Sequence, residues 1–310
     1  APGGGALGRS FAPGFRAPAL AHIANQIDSR VLSGMDLERH GLKLAAANLT
    51  STALAADGNH LVLEGAAGAT LSGQISDADR AVWKALRQQL LSFAAVMAPF
   101  KQMTPPRLAK GTGNEYLRLA KLGLGFRALG KADFREFLRM FLINAADVLN
   151  DELSDDRLKG LLGFDATLGS WLGPQSPNSL ILLLNRLAGE AAGQKAALAL
   201  PAGGMAAVAE AMAKSALAAG VTIRSNAPVA QILIEADRAT GVRLTNGEDL
   251  HAATVISAIS PKTTFLSLIG PRHLDTGFTN RIRAQKSRGG AAKLHLALKS
   301  APDFRGANLK

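Results

Sequence analysis

Residues 200–261 constrain this chain most, because helix, turn and strand signals alternate there at short intervals. Pro201 with Gly203 and Gly204 reads as a loop. Val208, Met212 and Leu217 then space an Ala-rich helix, and Gly220 stands where helices usually stop. Residues 221–223 and 229–235 have the β-branched content of strands, and Ala236, Asp237 and Arg238 turn into another over 240–244. Asn246-Gly247 is a hairpin signal, since both residue types tolerate positive φ. Residues 253–258 read as a buried strand that Ser260 and Pro261 end. Helix, strand, short meander and return strand is the order of a meander inserted into an α/β domain.

These residues, in this order, resemble the phytoene desaturase-like branch of the flavin-dependent oxidoreductases, which includes the pyridine nucleotide-disulphide oxidoreductase domain-containing proteins. The matching pieces are Pro201-Ala202-Gly203-Gly204-Met205, Gly220 with Ile223, Val229 with Ile232, Ala239 through Gly241-Val242 to Glu248, and Ser257 with Pro261. Their order and spacing carry the resemblance; no single piece would.

The resemblance implies an α/β fold with an α+β substrate domain, a partial FAD/NAD(P)-binding, Rossmann-like flavoprotein fold. It divides the chain into a partial dinucleotide-binding segment (1–50) and a mainly helical substrate domain with a β-hairpin (51–200). A dinucleotide-domain helix, meander and return strand follow (201–261), then the start of a second substrate-domain segment (262–310). The implied cofactor is FAD, with NAD(P) as the alternative. Gly4 and Gly5 would approach the flavin, the Val229 backbone the adenine, and Ser257 and Ala258 the dinucleotide. Gly203 and Gly204 would lie between flavin and substrate domain. The implied activity is dehydrogenation, desaturation or isomerisation of an apolar, carotenoid- or polyene-like substrate. The family's fingerprint would precede Ala1 and its second flavin segment would follow Lys310, so the sequence reads as a fragment expected to bind FAD poorly alone. The alternatives are a non-catalytic truncated paralogue or subunit with an apolar pocket, or a basic peripheral lipid-binding protein.

Composition narrows the chemistry. With 310 residues, 47% hydrophobic and 19% charged, the chain is a globular one with a sizeable core. It has no cysteine, which excludes disulfides, thiolate nucleophiles and Cys-ligated metals and makes the cytoplasm the default location. Of the net charge of +11, most falls after Ser260, where ten basic residues face two acidic ones. That tail admits peripheral membrane contact, or marks a domain whose acidic partners lie elsewhere. Aromatics at 5% are too sparse to stack on bases, so no nucleic-acid partner is expected. No apolar run reaches the roughly 20 residues of a membrane-spanning helix.

Two motifs mislead. Gly3, Gly5 and Gly8 satisfy G-x-G-x-x-G, but no strand precedes them, and Pro13, Gly14 and Pro18 prevent the helix that must follow. Gly4 and Gly5 ahead of Pro13-Gly14-Phe15 fit the resemblance better, as the family's glycine pair. Residues 125–132 approach a P-loop, but Ala132 stands where a magnesium-binding hydroxyl is needed and the preceding segment is helical.

Elsewhere Leu37 to Leu42 leads into a strand, with His40 structural beside Gly41, and a hairpin spans 52–64 across Asp57-Gly58. Helices are predicted over 77–98, up to the Pro99 and Pro105-Pro106 region, and over 113–122. Another is predicted from an Asp133/Glu136 capping box through Val148-Leu149. Two more follow, over 155–162 capped by Ser154 and over 178–192 after Ser176-Pro177. Asp155 and Asp156 complement a helix dipole. Phe137, Met140 and Phe141 read as core, or as the lining of an apolar substrate cavity. Residues 263–269 and 278–284 are helical, and 293–299 alternate as a half-buried strand with His295 on its less apolar side. His22, His40, His60, His251, His273 and His295 show no metal-ligand spacing, and no G-x-S-x-G elbow is present. Flavin chemistry fits this lack of acid, base or nucleophile signatures, because the cofactor carries the hydride. No catalytic residue is assigned.

Overall fold

The structure, a computed structural model, describes residues 2–104 and 112–307. The Pro105-Pro106 helix stop lies outside them. Two compact units form, one from Ala1–Val221 with Gly289–Lys310 and one from Thr222–Arg288. The chain mixes helix and sheet, and every strand pair among the described residues is antiparallel.

The larger unit opens on a 3-10 turn, Gly4–Ala6, then the hairpin β1 (Gly8–Ala12) and β2 (Phe15–Pro18). A strand directly after Gly8 leaves no helix N-terminus for the G-x-G-x-x-G match, which is therefore coincidental. Helix α1 (Ser29–Gly34) and strand β3 (Leu44–Ala47) lead to a three-stranded sheet, β4 (Ser51–Ala53), β5 (Leu61–Glu64) and β6 (Thr70–Ser72). The Asp57-Gly58 hairpin is as expected; β6 extends it.

The long helix α2 (Asp77–Met97) is capped by Ser76, whose side chain accepts from the Asp79 amide, and it buries Trp83, Leu86, Leu90 and Phe93 along one face. Pro99 falls in the 3-10 turn that succeeds it. Next come α3 (Gly113–Ala128), α4 (Gly130–Leu142), α5 (Ala145–Glu152), α6 (Asp156–Thr167) and α7 (Leu180–Leu187).

Several sequence-based caps are corrected here. The capping box is Thr112/Glu115 on α3, whereas Asp133 lies inside α4 and Glu136 pairs with Arg139 at 2.6 Å. Asn144, accepting from the Asp147 amide, starts a separate α5, so the expected single helix through Leu149 is two. Asp155, not Ser154, caps α6: its carboxylate accepts from the Arg157 and Leu158 amides, while the Ser154 amide and hydroxyl both donate to Asp79. Ser176-Pro177 starts no helix: Asn178 takes φ 62, outside the helical region, and α7 begins only at Leu180. After α7 the chain pairs β7 (Glu190–Ala191) with β8 (Gln194–Lys195) rather than continuing as helix to residue 192. Strand β9 (Ala199–Pro201) returns to β3, and α8 (Met205–Ala218) closes the unit, with Gly220 just past its end.

Phe137 and Met140 join Phe93, Val148, Leu158 and Leu184 in one core drawn from β5, β6 and the helices. Phe93 and Phe137 meet edge to face, with ring centroids 5.5 Å apart.

The smaller unit is a meander, β10 (Val229–Glu235), β11 (Arg238–Leu244) and β12 (Asp249–His251), followed by a π-helical turn, Thr263–Ile269, and α9 (Thr276–Ala284). Ala236 and Asp237 take φ 45 and 59, the paired positive values of a two-residue hairpin turn.

Three expected strands are absent. Residues 221–223 and 253–258 have strand composition, but no described strand runs beside them to share backbone hydrogen bonds. Residues 293–299 are likewise unpaired, and their alternation is inverted. Leu294, Leu296 and Leu298 face solvent, while His295 is half-buried with its ring 5.1 Å from that of Phe11.

Candidate functional site

The site grows from the walls of a cavity of about 710 Å³ inside the larger unit, within the range that small-molecule sites occupy. Residues 20–25 form one side, with β4 and Leu63 of β5 as the floor. Trp83, Arg87 and Leu90 face it from α2, Leu161, Leu162, Phe164 and Asp165 from α6, and Leu183, Arg186 and Leu187 from α7. Spacings of three and four residues explain the convergence, because Trp83, Arg87 and Leu90 share one helix face, as do Leu183, Arg186 and Leu187. Leu54, Phe164 and Leu168 line it while remaining exposed, so its rim is apolar. Trp83 is buried, with its indole N–H donating to the Gly68 carbonyl at 3.1 Å.

Its polar lining comprises His22, Asn25, Ser51, Thr52 and Asp165 together with three arginines. Arg157 is tied to Asp155 at 2.5 Å and donates to the Asn59 carbonyl at 2.6 Å. Their mutual hydrogen bond raises the Arg157 pKa and holds the Asp155 carboxyl below its usual range. Arg186, only 7% exposed, donates from Nε to Asp165 at 3.1 Å and from Nη1 to the Ala196 carbonyl at 2.9 Å. Arg87 donates from Nε to Ala67 and from Nη2 to Ala66, both backbone carbonyls, at 2.9 and 2.8 Å. Sequence reasoning passed over these arginines. The signal was their position, one on the apolar face of α2 and one inside the leucine run of α7.

The candidate glycines lie close to this cavity in the chain's hydrogen bonding. The Gly5 carbonyl accepts from the amides of Leu20 and Ala21, at 2.8 and 3.0 Å, and those two residues begin the cavity wall. Gly4 takes φ 49 with nothing within 4 Å of where a Cβ would stand. A planar or phosphorylated group could therefore approach this backbone closely. The turn packs along α8, a Cβ on Gly3 lying 3.3 Å from Ala209 Cβ. Gly203 and Gly204 form the turn into α8, whose N-terminus has no side-chain cap, and a Cβ on Gly204 would stand 3.7 Å from Pro18. The structure thus brings Gly4, Gly5, Gly203 and Gly204 to one helix and the segments that neighbour it.

The remaining candidates belong to the smaller unit. Val229 is half-buried and pairs with Leu244. Ser257 and Ala258 are exposed, and the Ser257 hydroxyl lies 2.7 Å from that of Thr264. Phe137, Met140 and Phe141 do not line the cavity; the first two are buried in the core instead. Among the described residues no group of His, Asp and Glu could hold a metal ion, and no helix is long and apolar enough to cross a membrane.

A family profile described as Flavin containing amine oxidoreductase matches residues 54–307. The chain is 26% identical over 322 residues to pyridine nucleotide-disulfide oxidoreductase domain-containing protein 2 of Rattus norvegicus, a match covering 98% of this chain and 55% of that protein. The Mus musculus protein of the same name gives the same identity and coverage, 26%, 98% and 55%. Phytoene desaturase (neurosporene-forming) of Cereibacter sphaeroides is 35% identical over 119 residues, 38% of this chain and 21% of that protein. The chain spans about half the length of the two rodent relatives.

Proposed function

The chain belongs to the flavin containing amine oxidoreductase family, and we propose that it takes part in FAD-dependent oxidation of an apolar, polyene-like substrate held in the leucine-lined cavity. The observation that carries this reading is the link from the Gly5 carbonyl to Leu20 and Ala21, which sets an open glycine turn beside the apolar cavity. Gly4, Gly5, Gly203 and Gly204 would hold the cofactor through backbone approach. For Val229, Ser257 and Ala258, in the smaller unit, the family resemblance alone supports a dinucleotide contact. Bound FAD supplies the hydride-accepting chemistry. The protein's own share is orientation and dryness: Leu90, Leu162, Leu183 and Leu187 exclude water and align an extended chain. The partial match to a phytoene desaturase supports the polyene reading.

The test uses protein expressed from its genomic reading frame, loaded with FAD and freed of excess. Anaerobic mixing with a partly saturated linear polyene should bleach the oxidised flavin's visible band, and mixing with a simple primary amine should not. Bleaching by the amine alone, or by neither while flavin stays bound, would overturn the proposal.

A further inference from the structure

The cavity is apolar in its walls but not in its charge. Arg157 and Arg186 each have a carboxylate partner, Asp155 and Asp165. Arg87 has only the carbonyls of Ala66 and Ala67, with no carboxylate at ion-pair distance among the described residues. One guanidinium charge on the wall is therefore uncompensated.

Arg87 and Arg186 are also neighbours. The Ala196 carbonyl accepts from Arg186 Nη1 at 2.9 Å and from the Ala67 amide at 3.3 Å, while the Ala67 carbonyl accepts from Arg87 Nε at 2.9 Å. Two residues, Ala196 and Ala67, thus link two guanidinium groups that line one cavity. Each keeps a terminal nitrogen, Nη2 of Arg186 and Nη1 of Arg87, that donates to nothing among the described residues. Neither nitrogen is sealed from the cavity, so an anionic oxygen entering it can accept from both and offset the Arg87 charge. A pure hydrocarbon would leave them unsatisfied, and an ammonium head would add to the positive charge.

We propose that the ligand of this cavity is a long-chain apolar monocarboxylate, its carboxylate bound by Arg87 and Arg186 and its chain lying against the leucines. This rests on the reading of the cavity as the substrate site and names the class of substrate.

The experiment is a fluorescence titration of the chain with cis-parinaric acid, a conjugated tetraene carboxylate, and with its methyl ester. The acid should bind at least about tenfold more tightly than the ester. Arg87→Gln should remove most of that preference while leaving ester affinity unchanged. Arg186→Gln should do the same if circular dichroism shows it folded; the Arg87 variant, which leaves the Asp165 pair intact, decides the matter if it is not. Equal binding of acid and ester by the unaltered chain would overturn the carboxylate inference and leave the apolar cavity standing. Binding of neither would overturn both.

Discussion

The two compact units hold their apolar residues in different ways. In the larger one Phe93, Leu180 and Leu184 are fully enclosed, and the enclosing side chains come from several helices and a sheet. In the smaller one Ile232 and Leu244 are the buried aliphatic residues among those described, while Ile256 and Ile259 stand 89% and 54% exposed. The smaller unit is nevertheless one continuous meander, in which each strand pairs with the next in sequence although β10 carries two register shifts against β11. Local turn chemistry is enough to organise a meander, but a core needs elements distant in sequence to converge.

The largest effect should follow from emptying the helical core. Phe93→Ala removes a fully buried ring in edge contact with Phe137, and should cost about 3–5 kcal/mol in urea unfolding. Ile232→Ala in the meander should lie near the low end of such losses, about 2 kcal/mol, because less surrounds it. Equal losses would erase the contrast between the units.

Next comes the polar staple of the larger unit. Buried Asp79 accepts from the amides of Ser154 and Asp155, at 2.7 and 3.1 Å, and from the Ser76 and Ser154 hydroxyls. It thereby joins the start of α2 to the start of α6. Burial raises its pKa, but these hydrogen bonds together outweigh burial and hold it below the ordinary 3.8. A folded value below the unfolded one means that its stabilisation is complete above about pH 3.8 and drains away as pH falls through the lower folded value. Asp79→Asn should cost about 2–3 kcal/mol at neutral pH and flatten that acid limb. An unchanged limb in a pH series of thermal melts would remove Asp79 from this role.

A smaller loss should come from the meander at Gly241. A Cβ there would stand 2.3 Å from the Leu250 carbonyl oxygen and 2.9 Å from His251 Cα, so β12 lies directly on this position. Gly241→Ala should cost about 1–3 kcal/mol by overpacking and should loosen β12 selectively. Amide exchange of Leu250 and His251 is the measurement; protection equal to that of the unaltered chain would refute it.

The same contrast explains what the sequence could reveal. The turn read over Ala236, Asp237 and Arg238 was legible though one residue too long, since Arg238 already pairs with Glu235. The Asn246-Gly247 turn was legible as well, both turns depending on residues within a few positions. So was α2, whose apolar face repeats over its 21 residues. The Asp133/Glu136 pattern has capping-box spacing, yet the helix had already started at Gly130; Thr112/Glu115 has it at a true helix start. Ser154 looks like a cap, but Asp155 fills that place and Ser154 is turned to donate to Asp79, 75 positions away. For the candidate site, the glycines of the two turns enter through the family resemblance. The cavity was not legible, because Arg87 and Arg186 meet only through Ala67 and Ala196, a connection no periodicity displays.

The smallest expected effect tests the sharpest disagreement between composition and burial. Residues 253–258 have the apolar, β-branched content of a central strand, yet they pair with no described strand, and Ile256 is 89% exposed. If exposure rather than composition governs its energetics, Ile256→Ser removes no packed contact. The unfolding midpoint should then move by no more than a surface substitution moves it, about 0.5 kcal/mol either way. A loss of about 2 kcal/mol or more would instead place Ile256 in a packed environment, since only buried aliphatic side chains cost that much to remove. Urea unfolding of Ile256→Ser beside Ile232→Ala makes the comparison within one unit, between two isoleucines of the same composition and opposite burial.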